Sequence, residues 1–373
     1  MHTVVAIPCL NEAATLPDVC ASLGYGLISS APSDTTLILI DNGSTDETVL
    51  IMEEVRRAHP TSVVLGLEAE RGYVPPRHRG VMLALELATT NGIPAESMLV
   101  LQADADTIYD PHYLDAMRAS AVSARGSIIE GVAHEYFAFS ETHRGYENCC
   151  AAADAAIASL LVPEAEEVVL DDKVIGYRLD DYLTWGGLQR EFDQNGDEIH
   201  AETSRLFIRA KALGATRVRA DKAIAFPSRR KLEADPLLYY ATAGFPRESR
   251  WRRRWASTHP QKLSLADFDK PEIRATIQDA TLTRQIHTLV LFALLPMCIE
   301  MGLRTSPGPK PCSPIAPLLS SIHLDLDSFR IAPGTAFEAL FRLADERREA
   351  FSDCIANTTA HGLVPQPHVS RDG

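Results

Sequence analysis

Residues 99–107 read Leu-Val-Leu-Gln-Ala-Asp-Ala-Asp-Thr, an apolar run ending in two carboxylates one residue apart. A run this short, apolar and closed by polar residues predicts a buried strand of a parallel sheet. In open α/β sheets, ligands bind beyond the carboxyl ends of such strands. Two hard oxygen ligands there suit Mg²⁺ or Mn²⁺, which take one or two carboxylates together with substrate phosphates. Asp104 and Asp106 are therefore candidate ligands for a metal bound with a diphosphate. An Asp-x-Asp pair also occurs by chance as a cap or a solvated turn, so its weight depends on the rest of the chain.

The segments before it alternate. Apolar β-rich runs at 3–7, 36–40 and 62–67 are interleaved with helical patterns at 13–23, 45–59 and 77–88, with Ser44 or Thr45 expected to cap the second helix. This order predicts an α/β fold, a mostly parallel, doubly wound sheet with helices on both faces. After Pro111 the pattern loosens. A helix is expected from 110–112, a strand at 126–132, and an Ala-rich helix at 144–161 packed on the sheet. A helix at 202–213 closed by Gly214 and one or two strands within 217–226 follow. Beyond Lys231 the signal is mainly helical, and 304–317 reads as a Pro-rich linker or loop. The expected organisation is an α/β domain over 1–230, a mainly helical extension over 231–358 and a poorly ordered tail over 359–373.

The 373 residues carry a net charge of −14, which argues against non-specific binding to nucleic acid or anionic membranes. The seven cysteines are odd in number and form no Cys-x-x-Cys pair, so they read as reduced thiols of a cytoplasmic protein. The N-terminus lacks the basic start and long apolar region of a signal peptide. The one candidate membrane segment, 286–303, contains His287 and Glu300 and is broken by Pro296. A buried or partly amphipathic helix is expected there rather than a transmembrane segment, with peripheral membrane contact as the other reading.

Polar clusters follow two other strand runs: Pro8-Cys9-Leu10-Asn11-Glu12 and Asp41-Asn42-Gly43-Ser44-Thr45-Asp46. Both fall at the ligand edge of the expected sheet. Asp41 can accept from a base N–H or a ribose hydroxyl, and the Ser44–Thr45 helix start offers free N–H groups. The same loop reads equally well as a turn with a helix cap.

These two clusters and Asp104-Ala105-Asp106-Thr107 resemble, in order and spacing, the successive motifs of family 2 glycosyltransferases. The resemblance covers about residues 3–230 and includes Arg71-Gly72 and Arg77-His78-Arg79-Gly80, where the family places a basic residue near the nucleotide base. It implies a GT-A fold and transfer of a sugar from a nucleoside diphosphate donor, usually with inversion, uridine being the commoner base. Pro8, Asn11, Glu12 and Asp41 would then hold the base, Arg77 would join the donor site, Asp104 would lie at the ribose or metal, and Asp106 would bind Mn²⁺ or Mg²⁺.

An inverting transfer also needs a base for the acceptor hydroxyl. In the family this is an acidic residue, commonly in a Glu-Asp pair before a helix resembling Glu202-Thr203-Ser204-Arg205-Leu206-Phe207. Thr203 stands where the Asp is expected. Glu202 is the candidate base, with Asp197 and His200 as substitutes, although a carboxylate at a helix start also suits the dipole alone. Ser228, Arg229 and Arg230 resemble a family segment near the donor phosphates, a task suited to arginine's planar head. The basic run 247–254, with Trp251 and Trp255, reads as a charged helix face with inward tryptophans, or as a contact for an anionic acceptor.

Other classes fit less well. A phosphatase of the haloacid dehalogenase type places its Asp-x-Asp on the first strand, and here it follows the fourth. A nucleotidyltransferase needs a Gly-rich basic loop after its first strand, and a dinucleotide oxidoreductase needs Gly-x-Gly-x-x-Gly; both are absent. The non-enzymatic alternative is a catalytically impaired sugar-nucleotide-binding or scaffolding protein of the same fold, which the Thr203 departure keeps open.

Overall fold

The computed structural model describes residues 1–135, 137–161, 167–303, 313–322, 324 and 326–360. Its first half is the expected alternation: β1 (His2–Cys9), α1 (Leu16–Ser22), β2 (Thr35–Asp41), α2 (Thr48–Ala58), β3 (Val63–Leu67), α3 (Val74–Asn91) and β4 (Met98–Gln102). β1 pairs in parallel with β2 and β4, and β2 with β3. Both faces of these strands are covered, and their alternation shows it. Val5, Ile7, Leu37, Leu39, Leu99 and Leu101 join Leu16, Val19, Met52 and Val55 in one core. On the other face Gly80 of α3 sits so close that a Cβ there would lie 2.9 Å from the Ala6 Cβ. The doubly wound arrangement follows because β2 and β4 are buried along their whole length.

The sheet then changes character. β5 (Thr107–Tyr109), α4 (Tyr113–Ala121) and β6 (Ser127–Ala133) are followed by two helices of the second unit, α5 (Phe137–Thr142) and α6 (Arg144–Ala155). The chain returns through β7 (Ile175–Arg178), α7 (Leu179–Thr184), α8 (Glu202–Lys211) and β8 (Thr216–Pro227). The eight strands lie in the order β3-β2-β1-β4-β7-β6-β8-β5. β7 runs antiparallel to β4 and β6, and β5 antiparallel to β8, while β6 and β8 pair in parallel, so the sheet is mostly parallel with antiparallel joins in its second half. The late strand signal is one strand, β8, which pairs with β6 and with β5.

Two local expectations are corrected. Neither Ser44 nor Thr45 caps α2, because the Ser44 hydroxyl accepts from the Asn11 N–H, and the Thr45 N–H and hydroxyl donate to the Asn11 side chain. Asp46 accepts from the Thr48 N–H instead. The Ala-rich helix is also shorter than expected and belongs to the other unit. Tyr146 of α6 meets Tyr240 and Phe268 in an aromatic core of the other unit.

The chain divides into two compact units. The sheet unit comprises 1–137, 169–229 and 330–334, and the helical unit the remaining segments, 138–168, 230–329 and 335–373. After residue 229 come α9 (Arg230–Ala234), α10 (Pro236–Ala241), α11 (Ser249–Thr258), α12 (Ile273–Thr276) and α13 (Gln278–Leu289). A π-turn at Val290–Leu294 leads into α14 (Leu295–Leu303), and α15 (Leu326–Ile331), α16 (Gly334–Glu346) and α17 (Arg348–Ala360) follow. The π-turn lets the helical path continue through Pro296, whose ring would clash with the carbonyl four residues back in a regular helix. The window Gln278–Leu303 is long and apolar enough to cross a membrane, and 72% of its most apolar stretch is buried inside the protein.

The basic run is partly inward. Arg247 is buried, with its guanidinium 4.6 Å from the Trp251 ring and 4.1 Å from that of Phe341. Trp251 and Trp255 are buried as expected and stack on each other, while Arg252 and Arg253 stay exposed. Of the Pro-rich stretch, 304–312 lies outside the described residues, as does the tail from 361.

Candidate active site

β1 has β2 on one side and β4 on the other, so the loops after β1 and β4 part and leave a crevice at their carboxyl ends. The loops that line it are stitched together. Asn11 adopts φ +58, a conformation asparagine tolerates, and its Oδ1 accepts the Thr45 N–H at 2.7 Å. The Glu12 N–H donates to the Thr48 hydroxyl at 2.8 Å, and the Ala13 N–H donates to Asp46. Asp46 titrates lower than usual because the Thr48 hydroxyl and nearby backbone N–H groups stabilise its charge. The Glu12 carboxylate accepts from Thr15. Pro8 is half-buried near the end of β1.

Asp41 is buried at the end of β2, and its two oxygens accept from the N–H groups of Gly43 and Ser44. Both readings of this loop thus coexist: the carboxylate folds its own turn and stands at the ligand edge. Gly43 has φ +81, and a Cβ there would press on the Arg71 guanidinium, which donates to the Gly43 carbonyl at 2.6 Å. The basic side chain at this loop is therefore Arg71.

The Asp-x-Asp turn is held by its backbone. The Ala103 N–H donates to the Ala6 carbonyl, the Asp104 N–H to the Tyr109 hydroxyl, and the Ser228 N–H to the Asp106 carbonyl. The Ala105 carbonyl accepts from Thr15. Ala103 and Ala105 are buried between them, so the two carboxylates stand half-buried on the open side. With its polar groups occupied, this turn holds its carboxylates in one orientation.

Arg77 does not reach toward Asp41. From the first turns of α3 its Nη2 donates to Asp104 Oδ1 at 2.8 Å and to Asp172 Oδ2 at 2.9 Å, and its Nη1 lies 3.3 Å from Glu202 Oε1. Beside it, Lys173 lies 2.6 Å from Asp171 and 3.4 Å from Asp172. Burial would lower the Lys173 pKa, but Asp172, Asp171 and Asp104 more than offset it and hold the ammonium charged. The Asp104 carboxyl is pushed above the usual range by burial, with Arg77 opposing and Asp172 and Asp106 adding to the rise.

The cluster joins the carboxylates of Asp104, Asp106, Asp171, Asp172 and Glu202 to two cations, Arg77 and Lys173. A formal surplus of negative charge remains. A diphosphate, itself anionic, is repelled by it unless a further cation joins. Among the described residues no group of three His, Cys, Asp or Glu side chains is arranged to hold an ion alone. Mg²⁺ and Mn²⁺ accept one or two carboxylates and complete their shell with substrate phosphates and water. The donor set fits, and Asp106 and Asp104 would hold the ion.

Of the base candidates, Glu202 is the one whose described contacts enter this cluster. It is buried at the first position of α8. Thr203 is buried too, and its hydroxyl donates to Gln102 at the end of β4. Thr203, at the position where a second acid was expected, thus ties α8 to the Asp-x-Asp strand. His200 packs edge-on against Tyr73, and Asp197 closes a tight turn with Asp193. Beneath this loop the buried Arg205 donates to the carbonyls of Gln189, Ile199 and His200. Glu191 pairs with Arg205 and Arg209 of α8 and accepts from the Gly334 N–H at 2.6 Å. Arg229 forms an ion pair with Glu135, and Arg230 opens α9 in the helical unit.

Asp171, Asp172, Lys173 and Tyr109 escaped the sequence reading. The adjacent acidic pair was the only signal, and its meaning depends on β7 lying beside β4.

Residues 4–144 match a family model described as glycosyl transferase family 2. The likeness to family 2 glycosyl transferases thus covers this part of the chain. The match takes in the three loops built above, and the GT-A architecture implied by their motifs agrees with this sheet and its helical C-terminal region. No curated protein matches the chain. Among solved structures, S. aureus TarS overlaps 95% of this chain at 12% identity and a TM-score of 0.44, and this chain spans 55% of that one. The mannosyltransferase PcManGT from Pyrobaculum calidifontis, solved with GDP-Man and Mn²⁺, overlaps 96% of this chain and 87% of its own at 15% identity and a TM-score of 0.45. Glucosyl-3-phosphoglycerate synthase from Mycobacterium tuberculosis, in complex with Mn²⁺, UDP-Glc and phosphoglyceric acid, overlaps 62% and 74% at 18% identity and a TM-score of 0.35.

Proposed function

We propose that the sheet unit transfers a hexosyl group, with inversion, from a nucleoside diphosphate sugar, a uridine donor being favoured, to a hydroxyl acceptor. The observation that carries this reading is the reach of Arg77, which links Asp104 of the Asp-x-Asp turn to Glu202 at the start of α8. In an in-line displacement the leaving diphosphate and the attacking hydroxyl lie on opposite sides of the sugar carbon. Asp104 and Glu202 stand ready for those two sides.

Asp41 and the Asn11–Thr45 stitch form the wall for the nucleoside. A bound Mg²⁺ or Mn²⁺ would stabilise the charge that builds on the departing diphosphate. Arg77 orients Asp104, and Glu202 would take the acceptor's proton as the new bond forms. Cys9 and Cys20 are buried, and burial raises both thiols, so neither is a reactive nucleophile. The cytoplasmic location proposed here rests on the free thiols among the described residues.

The test is calorimetry with Mn²⁺ and UDP, GDP or dTDP. Wild-type protein is expected to bind one of them in a metal-dependent way, and Asp106→Ala to lose that dependence while melting at an unchanged temperature. Metal-independent binding by the wild type, or unchanged binding by the variant, overturns the metal assignment. Binding without hydrolysis or transfer to any acceptor would favour the impaired, non-enzymatic reading.

A further inference from the structure

We infer that Thr203 is a positioning residue: with Gln102 it forms a strut that fixes Glu202 against the Asp-x-Asp turn, so the acid missing at 203 is a changed support and not a lost base. This rests on the transfer reading above.

The first turn of α8 bonds outward at three consecutive residues, each to a different element. Glu202 meets Arg77 of α3, the Thr203 hydroxyl donates to Gln102 Oε1 at the end of β4 at 3.2 Å, and the Ser204 hydroxyl accepts the Leu170 N–H at 2.9 Å. Glu202, Thr203 and Ser204 are all buried. Ala201, just before them, has φ +62 and gives the helix no side-chain cap. A residue with a Cβ keeps such a left-handed conformation where its surroundings over-determine it. The outward bonds of the next three residues supply that constraint.

The Thr203 bond acts on the strand that leads into the metal turn. Gln102 lies two residues before Asp104. Its Nε2 donates to the Tyr177 hydroxyl of β7 at 3.2 Å, so one buried amide joins α8, β4 and β7. A hydroxyl suits this place, because it donates to the amide oxygen and brings no charge. A carboxylate at 203 would be buried without a cation of its own and would add to the negative surplus beside Glu202.

Steady-state donor hydrolysis, with water as acceptor, tests this in the full chain with Mn²⁺ and UDP-, GDP- or dTDP-hexoses, beside calorimetry of the bare diphosphates. Thr203→Val keeps the shape and removes the donor. It should lower kcat by about 10- to 100-fold, the scale of a small misplacement of reacting groups. Donor KM and diphosphate affinity should stay within about twofold of wild type, which also reports an intact fold. Thr203→Ser should recover most of the wild-type kcat. Gln102→Met should match Thr203→Val, and the double variant should fall no further than the slower single one. Thr203→Asp should remain slower than wild type. A faster Thr203→Asp overturns the inference, since it would show that a base was lost there. So do unchanged kcat in Thr203→Val and Gln102→Met, additive losses in the double variant, or a Ser variant as slow as the Val variant. Loss of diphosphate affinity in step with kcat overturns it too, and assigns the pair to the fold alone. A wild type that binds a diphosphate and hydrolyses no donor fails the transfer reading first, whatever the variants do.

Discussion

Tyr109 is the residue on which the geometry of the Asp-x-Asp turn most depends. Its hydroxyl accepts the Asp104 N–H at 3.0 Å and donates to the Lys173 carbonyl at 3.0 Å. Burial raises its pKa well above the usual value, so the proton needed for the second bond stays in place. Tyr109→Phe leaves both backbone groups without that partner and should cost about 1–3 kcal/mol in a denaturant melt. A variant within about 0.5 kcal/mol of wild type, inside the range typical of surface substitutions, would show that water replaces the hydroxyl. Glu202→Gln keeps the shape and a contact with Arg77 but removes the basicity. It should cut transfer by about 10²–10⁴-fold with donor affinity unchanged, and a wild-type rate would move the base to Asp197 or His200. Asp41, Asp104 and Asp106 were legible because each sits at the end of an apolar run, a local pattern. Asp172 was not, because it gains its role from Arg77, 95 positions away in the chain.

Among the elements, α13 carries a group whose charge state is set by packing. Arg247 has only donors, and its Nη1 lies 2.5 Å from His287 Nε2. The ring must accept there, which leaves Nδ1 as the atom that donates to the Ala241 carbonyl at 3.0 Å. Burial, with Arg247 adding to it, accordingly holds the His287 pKa well below its ordinary value. The folded state keeps this imidazole neutral, whereas the unfolded chain takes up a proton below about pH 6.5. The unfolded state then binds more protons, so stability present above that pH is lost as pH falls, by up to about 1.4 kcal/mol per unit. His287→Gln should make the slope of unfolding free energy against pH shallower between about 6.5 and 5. Identical slopes would assign the dependence to His2 and His78, whose pKa values burial also lowers. The parallel strands and α3 were readable from apolar runs and helical spacing. β5 and β7 were not, since strands of three and four residues carry too little periodicity to separate them from turns.

At the scale of the whole molecule, the helical unit is assembled from separate stretches of chain. Its aromatic core joins Tyr146 of α6 to Tyr240 and Phe268, which come after residue 230. A sequence break at 230 marks where the sheet unit's main run ends, yet it also parts α6 from its partners. A chain ending at 230 should therefore expose an apolar helix face. It is expected to bind a hydrophobic dye and to aggregate on size-exclusion chromatography where the full chain does not. A monomeric, dye-silent fragment would show that α6 finds cover elsewhere. The sequence could not reveal this interleaving, because the Ala-rich helical pattern at 144–161 fits packing on a sheet as well as packing on later helices.

The contact between Gly334 and Glu191 has a consequence for the order of events in the cell. Glu191 braces the arginines of α8, the helix that begins at Glu202, and its last partner is a backbone N–H more than 140 residues downstream. A ribosome delivers the nucleotide-binding loops well before residue 334. The half-made chain would carry a nearly complete donor pocket beside a helix still lacking its final brace. Competence to hold a donor would then precede competence to transfer from it, and synthesis through residue 334 would convert one into the other.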